Sequence, residues 1–302
     1  MAGINYTRAS RDLAIVKAWI EGTVSPIPLA AWGLWGGGTY PPKAIDIEAT
    51  EAIVEQEQGK EGWTNVRPGF LTGTKMCVVT GLGYVPYGTN PQVLVDAEFL
   101  ADTGRATNVK EVTEDMRLGS DIEWLIREMY SILVNPGESM RTTNLMVCRD
   151  PGMGHIAISP DGLVGDQGLL ECKSSTRNAY KTVMNRWMPQ IMSQMRVTRR
   201  SWCDVAMGYF PEGRATLSSN DSPKSALKVI RVYYSPTYWG TLDAASSDYI
   251  KQVYAYRQNK PWHQPKALLH ASMPPVGTKI IMEIQNPVKK YWDMVTDYMI
   301  DP

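Results

Sequence analysis

The sequence predicts a mixed α/β fold, in which a sheet is flanked by helices. Three observations lead to this prediction: an apolar helical stripe within 120–134, two short strands within 156–175, and two alternating apolar segments at 202–209 and 226–234. Along the chain these elements follow the order helix, strands, helix, strands, helix. That order is typical of a mixed sheet covered by helices.

The length and composition favour one large domain with appendages. The 302 residues can bury a full core, and the 31 basic and 31 acidic residues balance, so any DNA binding must rest on a local groove. Four cysteines form no Cys-x-x-Cys pair, which argues against zinc or iron–sulfur sites and for reduced thiols: Cys77, Cys148, Cys172 and Cys203. Because neither a signal peptide nor a membrane helix is recognisable, we expect a soluble, cytoplasmic protein.

The first part of the chain predicts two helices around an irregular segment. Residues 7–20 and 44–58 have helical patterns, whereas 24–42 contains four glycines and four prolines and no charge. We divide the chain into three parts: a helical and irregular extension at 1–50, a main domain at 51–264, and a tail at 265–302 whose structure the sequence does not reveal.

A convincing amphipathic helix is predicted over 120–134. Ser120 or Asp121 is the expected N-cap. The expected buried stripe consists of Ile122, Leu125, Ile126, Met129 and Leu133. Glu123 lies at the edge of this stripe, where it could face a site. As a first-turn glutamate it could equally well serve only to stabilise the helix dipole.

The segment from Ser159 to Lys173 is the most informative part of the sequence. It places Asp161 at a turn, and Glu171 and Lys173 two positions apart in an apolar strand, so that these two side chains project from the same face. If the strand at 156–158 pairs with that strand, Asp161 lies beside Glu171. Two carboxylates and an ammonium group then converge on one point.

This arrangement suits metal-assisted phosphodiester hydrolysis. Carboxylate oxygens bind hard cations such as Mg²⁺, and a lysine can orient or activate a water molecule. The alternative is ordinary charge on an exposed strand. Two observations favour the metal site: no other lysine of the chain has an acidic residue two positions before it, and the surrounding residues are apolar, where unpaired charges are costly.

After this motif, residues 176–199 predict a helix interrupted at Pro189. A new helix could begin near Met188, which would place Gln190 and Gln194 on one face. The remaining predicted elements are a strand at 202–209, a loop at 211–225, a strand at 226–234 and a helix at 241–259.

The segment 159–173 resembles the core motif of the lambda exonuclease (YqaJ-type viral recombinase) nucleases, a branch of the PD-(D/E)xK superfamily. Three further blocks, in the order of that family, are similar to its motifs: Trp63–Thr74, Gly119–Glu123 and Met188–Trp202. The sequence departs from the pattern at Met192, where a second glutamine is frequent, and at Ser174-Ser175, where Cys-Pro is usual. The resemblance, over about residues 56–212, implies a restriction-endonuclease-like core.

The resemblance also implies roles for individual residues. Asp161, Glu171 and the backbone carbonyl of Cys172 would hold Mg²⁺, Glu123 would reach a metal directly or through a water, and Lys173 would position or deprotonate the attacking water. The family pattern implies two ions, and we expect Mn²⁺ to substitute for Mg²⁺.

Further residues resemble the substrate-binding positions of the family. Gln190 would orient Lys173 or the scissile phosphate, and Arg67 and Thr74 would grip a terminal 5′-phosphate. The implied activity is Mg²⁺-dependent 5′→3′ exonuclease digestion of double-stranded DNA ends in viral or phage recombination, by a trimeric ring working with a single-strand annealing protein. Two other readings stay open: an endonuclease on the same core, and a DNA-end-binding scaffold without activity.

Overall fold

The computed structural model describes residues 71–79, 114–142, 146–147, 156–211, 224–257 and 273–300. The helices predicted at 7–20 and 44–58 and the irregular segment at 24–42 lie outside these ranges. The structural statements that follow concern the described residues.

Nine described strands form two sheets. They are β1 Leu71–Thr72, β2 Met140–Arg141, β3 Met146–Val147, β4 Ile156–Ile158, β5 Gly162–Val164, β6 Gly168–Ser175, β7 Trp202–Tyr209, β8 Ala226–Tyr233 and β9 Thr278–Gln285. The larger sheet has the order β2-β5-β6-β7-β8-β9, and the smaller one the order β1-β4-β3. Strands β6 and β7 are parallel, whereas the other neighbours in the larger sheet are antiparallel. The sheet is therefore mixed.

Helices cover both faces of the larger sheet. They are α1 Gly73–Val79, α2 Glu114–Met129 with a π-helical turn at Tyr130–Val134, α3 Met188–Thr198 after a 3₁₀ turn at Asn185–Trp187, α4 Pro236–Arg257 and α5 Pro287–Ile300. Apolar residues of α1, α3 and α4 pack on one face, and those of α2 and α5 on the other. The predicted mixed sheet flanked by helices is confirmed. No helix in the described ranges combines the length and apolar character needed to cross a membrane.

The helix predicted over 176–199 is shorter than expected. The hydroxyl of Ser175 accepts hydrogen bonds from the backbone N–H groups of Arg177 and Asn178, both 3.2 Å long, so the chain forms a turn after β6. Helix α3 begins at Met188 with a proline in its first turn, as the alternative start predicted. It ends at Arg199, whose φ of 56° is left-handed.

The helix predicted over 120–134 begins earlier than expected. Helix α2 starts at Glu114, so the expected caps Ser120 and Asp121 lie inside it. Met116, Arg117 and Leu118 are good helix formers that extend the helix toward its N-terminus. Ser120 and Asp121 are weaker helix formers, and each costs only a few tenths of a kcal/mol inside the helix. The predicted stripe is buried at Ile122, Leu125, Ile126 and Met129, whereas Leu133 is only partly buried.

Helix α4 also begins earlier than the predicted start at residue 241. The hydroxyl of Ser235 accepts a hydrogen bond from the backbone N–H of Tyr238, and Pro236 occupies the first helical position, which is a common N-terminal arrangement. The strand predicted at 202–209 coincides with β7, and the strand predicted at 226–234 ends one residue earlier, at Tyr233.

The C-terminal part contributes to the larger sheet. Within 265–302, where the sequence reveals no structure, β9 pairs antiparallel with β8, and α5 follows it. Buried Val288 and Tyr291 of α5 pack with residues of α2. The larger sheet therefore includes residues of the segment 265–302, because β9 pairs with the edge of β8.

Candidate active site

A tight hairpin brings Asp161 and Glu171 together. The expected pairing of the strand at 156–158 with β6 is wrong: β4 pairs with β1 and β3 instead. The partner of β6 is β5, which follows Asp161 directly, and Gly162 pairs with Leu170. Asp161 therefore reaches the position beside Glu171 through the next strand along the chain.

The alternation along β6 separates the polar from the apolar side chains. Leu170 and Cys172 join the core on the α2 side of the sheet. Glu171 and Lys173 project from the opposite face, toward α3. The backbone N–H of Cys172 donates a 2.6 Å hydrogen bond to Oδ2 of Asp161, so this strand also fixes the second carboxylate.

Both oxygens of Glu171 accept hydrogen bonds from helix α3. Nε2 of Gln190 lies 2.7 Å from Oε1, and Nε2 of Gln194 lies 2.8 Å from Oε2. The expected partner of Gln190 was Lys173 or the phosphate, but in the structure it is the carboxylate. The four-residue spacing of the two amides predicts that Gln194 lies on the same helix face as Gln190, but its contact with Glu171 is visible only in the structure.

Lys173 is held between a carboxylate and an aromatic ring. Its Nζ donates to Oε1 of Glu171 and lies 5.7 Å from the ring centroid of Trp187, a cation–π contact that the sequence did not predict. Burial favours the neutral amine, but the carboxylates of Glu171 and Asp161 raise the pKa of Lys173 above its ordinary value. The lysine is therefore an ammonium group in this environment.

The site holds more negative charge than its cations balance. Burial, with the carboxylates of Glu171 and Glu123 adding to it, raises the pKa of Asp161 well above its usual range. Burial also raises the pKa of Glu123, against the effect of Arg127, whose guanidinium lies 3.6 Å from Oε1 of Glu123. This crowding of carboxyl groups is unfavourable without a further cation.

These groups line a cleft of about 220 Å³. Glu123 reaches it from α2, and Thr74 from the beginning of α1. Gly73 permits the close approach of α1 to α3, because a Cβ atom at this position would lie 2.6 Å from Cγ of Gln190. Thus the structure brings together every predicted site residue except Arg67, which lies outside the described ranges.

The donor atoms fit a hard cation with an incomplete set of protein ligands. In the described part of the chain, no three His, Cys, Asp or Glu side chains gather closely enough to bind a metal by themselves. Oxygen atoms for a cation come from three lining residues of the cleft: the carboxylates of Asp161 and Glu171 and the backbone carbonyl of Cys172. Mg²⁺ is usually bound in this way, by one or two carboxylates with waters and substrate oxygens completing the octahedron.

Comparisons with known proteins agree with this fold. The family model of the YqaJ-like viral recombinase domain matches residues 62–201. This segment is therefore similar to the YqaJ-like viral recombinase domain. The match includes β5, β6 and α3, so the whole arrangement around Glu171 lies within it. The predicted family resemblance is confirmed.

Solved structures show the same fold as this chain. The chain is similar to an alkaline exonuclease (LHK-Exo) from Laribacter hongkongensis, with a TM-score of 0.52 and 20% identity over 66% of this chain and 95% of that chain. The complex of LHK-Exo with dAMP matches with a TM-score of 0.51, at the same identity and coverage. A search of the curated proteins gave no significant match.

Proposed function

We propose that this protein is a metal-dependent deoxyribonuclease that digests one strand of double-stranded DNA from its ends in the 5′→3′ direction. The observation that carries the proposal is the grouping of Asp161, Glu171 and Lys173 in one cleft, within the segment that matches the YqaJ-like viral recombinase domain. The exonuclease activity named for the structural neighbours supports it. A role in viral or phage recombination follows from the domain family.

Mg²⁺ is the proposed cofactor, with two ions at the site and Mn²⁺ as a substitute. Asp161, Glu171 and the carbonyl of Cys172 would hold one ion, and Glu123 would reach the second directly or through a water. The bound ions would lower the pKa of the attacking water and stabilise negative charge on the phosphate. The raised pKa of Asp161 supports this assignment, because a cation relieves the repulsion among its neighbours.

The protein side chains would orient the reacting groups. As an ammonium group, Lys173 would hold the attacking water by donating a hydrogen bond to it. It would take the proton of that water only as the neutral amine, which cations bound at Glu171 and Asp161 would favour. Gln190 would fix Oε1 of Glu171, since its amide donates to it. Such orientation lowers the entropic part of the barrier.

The proposed DNA-end site consists of Arg67 and Thr74. A guanidinium group can bind a terminal 5′-phosphate with two parallel hydrogen bonds, and a threonine hydroxyl adds a third donor. Thr74 is exposed at the cleft, which supports its part in this site. We further propose a ring-shaped trimer and a single-strand annealing protein as partners, by analogy with the family. Among the described residues, Cys77, Cys172 and Cys203 are buried as thiols, which supports a reducing compartment such as the host-cell cytoplasm.

Two DNA substrates of one sequence test the exonuclease proposal. A linear duplex labelled at its 5′ ends and the covalently closed circle are incubated with Mg²⁺ or with EDTA. We expect Mg²⁺-dependent loss of the label as mononucleotides from the linear duplex, and an intact circle. Cleavage of the circle would establish the endonuclease alternative, and release from the 3′ end would contradict the proposed polarity.

The end-recognition role of Arg67 requires a separate comparison. We expect Arg67→Ala to remove most of the preference for 5′-phosphorylated over 5′-hydroxyl ends, because the charge-assisted hydrogen bonds to phosphate are lost. The measurement is the ratio of initial rates on the two duplexes. An equal loss of rate on both would refute this role.

A further inference from the structure

Gln194 occupies an unusual position in helix α3. The side chain is 1% exposed, and its neighbours Ile191, Met192 and Met195 are fully buried apolar residues. A buried amide in such a stripe loses its hydration, so it stabilises the fold only if the protein or a bound molecule replaces the lost hydrogen bonds. A leucine or methionine would fill the same space without this requirement.

Only half of this amide has a protein partner. Nε2 of Gln194 donates to Oε2 of Glu171 at 2.8 Å. The opposite orientation would bring the amide oxygen against a carboxylate oxygen, two acceptors with no proton between them, so hydrogen-bond chemistry fixes the amide as described. Oε1 of Gln194 is then buried without a hydrogen-bond partner among the described residues.

The unpartnered oxygen belongs to a residue that lines the cleft. Gln194 and Glu171 both contribute to its wall, and its volume of about 220 Å³ accommodates several water molecules.

The two glutamines of α3 donate hydrogen bonds to different oxygens of Glu171. Gln190 shares Oε1 with the ammonium group of Lys173, whereas Gln194 donates to Oε2. Because a donor holds each oxygen, the plane of the carboxylate is fixed in the absence of a metal. A group that orients a metal-binding carboxylate in this way determines how well the ion is bound.

We propose that Gln194 is a positioning residue of the metal site, which orients Glu171 through the hydrogen bond from Nε2 to Oε2. This inference rests on the proposed metal-dependent nuclease function. It assigns Gln194 to ion binding, distinct from contact with DNA.

The test measures Mn²⁺ binding without DNA as well as the Mg²⁺ dependence of hydrolysis. Mn²⁺ is titrated into the full chain and followed by electron paramagnetic resonance, for the wild type, Gln194→Met and Gln194→Asn. We expect Gln194→Met to bind Mn²⁺ about 10–100-fold more weakly. Raising the Mg²⁺ concentration should restore much of its rate on the linear duplex. Gln194→Asn, whose amide is one methylene shorter, should be impaired to a smaller extent.

Ser193→Ala is the matched control. Ser193 is buried in the same helix, but its hydroxyl donates to the carbonyl of Pro189, at 2.6 Å. This variant loses a buried hydrogen bond without touching Glu171, so we expect wild-type Mn²⁺ affinity. Thermal unfolding verifies that each variant is folded at the assay temperature, and Gln194→Asn keeps a buried amide if Gln194→Met does not fold.

Two outcomes would overturn the inference: wild-type Mn²⁺ affinity and Mg²⁺ dependence in Gln194→Met, or an equal weakening in Ser193→Ala. The proposed function fails separately. If the wild type binds Mn²⁺ but releases no nucleotides from duplex DNA, the nuclease proposal is wrong, while the binding titration still decides the role of Gln194. If Glu171→Gln binds Mn²⁺ as tightly as the wild type, the proposed metal site itself is wrong.

Discussion

Two buried carboxylates on neighbouring strands, Glu171 on β6 and Asp204 on β7, have opposite kinds of environment. Each is 1% exposed. Asp204 accepts two hydrogen bonds from Arg231, at 2.8 and 2.9 Å, and one of 2.7 Å from the hydroxyl of Tyr130. Arg231 also stacks on Trp202, with 3.6 Å between its Cζ atom and the ring centroid. The anion is matched by one cation in a closed network.

Glu171 lies on the other face of the sheet and faces an open cleft. Its single ammonium partner, Lys173, is shared with Asp161, and Glu123 adds a third carboxyl group. The difference teaches that a buried charge does not by itself indicate a functional site. An uncompensated excess of one charge beside a cavity does, because the missing counter-charge must come from a ligand.

The largest expected effect is the loss of hydrolysis when the Glu171 network loses its lysine. Lys173→Ala should reduce Mg²⁺-dependent hydrolysis on the order of 10²–10⁴-fold, because the attacking water loses its orienting or proton-accepting group. Initial rates on a 5′-labelled duplex measure this. Lys289→Ala, which removes an exposed lysine paired with Asp293 on α5, is the control and should keep the wild-type rate. An unchanged rate in Lys173→Ala would refute the assignment.

The second prediction concerns stability on the Asp204 side. Arg231→Met should destabilise the fold by about 3 kcal/mol, because it leaves the buried carboxylate of Asp204 without its cation. Urea unfolding measures this change. Lys228→Met removes the partner of Glu283, which is 52% exposed, so it should cost less than about 1 kcal/mol. If the two substitutions lower the free energy of unfolding equally, the Asp204 network does not stabilise the fold more than an exposed ion pair does.

The third prediction tests how the Glu171 network depends on close packing. Gly73→Ala should reduce the hydrolysis rate about 10-fold, because the new Cβ displaces Gln190 from Glu171. In the same assay Gly119→Ala, in the interior of α2 with open space around the added Cβ, should keep the rate. It should also raise stability by about 0.5–1 kcal/mol. Wild-type activity in Gly73→Ala would mean that the position of Gln190 is not critical.

The smallest expected effect is a change in melting temperature that has opposite signs for substitutions of Asp161 and Asp204. The pKa of Asp161 is raised in the fold, so its ionised form destabilises the folded state above the pKa of the unfolded chain. Asp161→Asn should therefore raise the melting temperature in EDTA at neutral pH by about 2–4 °C, or about 1 kcal/mol. Asp204→Asn should lower it, since Arg231 loses its anion. Equal signs in calorimetry would contradict the proposed difference between the sites.

Much of the site could be predicted from the sequence because its spacing is local. The two-residue period of a strand places Glu171 and Lys173 on one face, whichever strands lie beside β6. The four-residue spacing of Gln190 and Gln194 places both amides on one helix face in the same way. The partner strand could not be predicted, since pairing depends on which apolar surfaces meet in the folded chain; β5 took the place expected for β4.

The structure of two further segments depends on contacts with elements that are distant in the chain. Strand β9 is selected as a sheet strand by pairing with the edge of β8. The residues after β6 have a helical pattern, but they form a turn in which the Ser175 hydroxyl accepts two backbone hydrogen bonds, and the helix begins only at Met188.

The sequence by itself determined the mixed α/β fold, the face shared by Glu171 and Lys173, and the resemblance to the YqaJ-like viral recombinase domain, whose family model matches residues 62–201. The tertiary structure alone decided that Asp161 meets Glu171 through a hairpin, that helix α3 orients both carboxylate oxygens, and that Asp204 is matched while Glu171 is not. The reason is physical: periodicity within a strand or helix follows from local geometry, whereas charge balance is a sum over elements that are far apart in the chain.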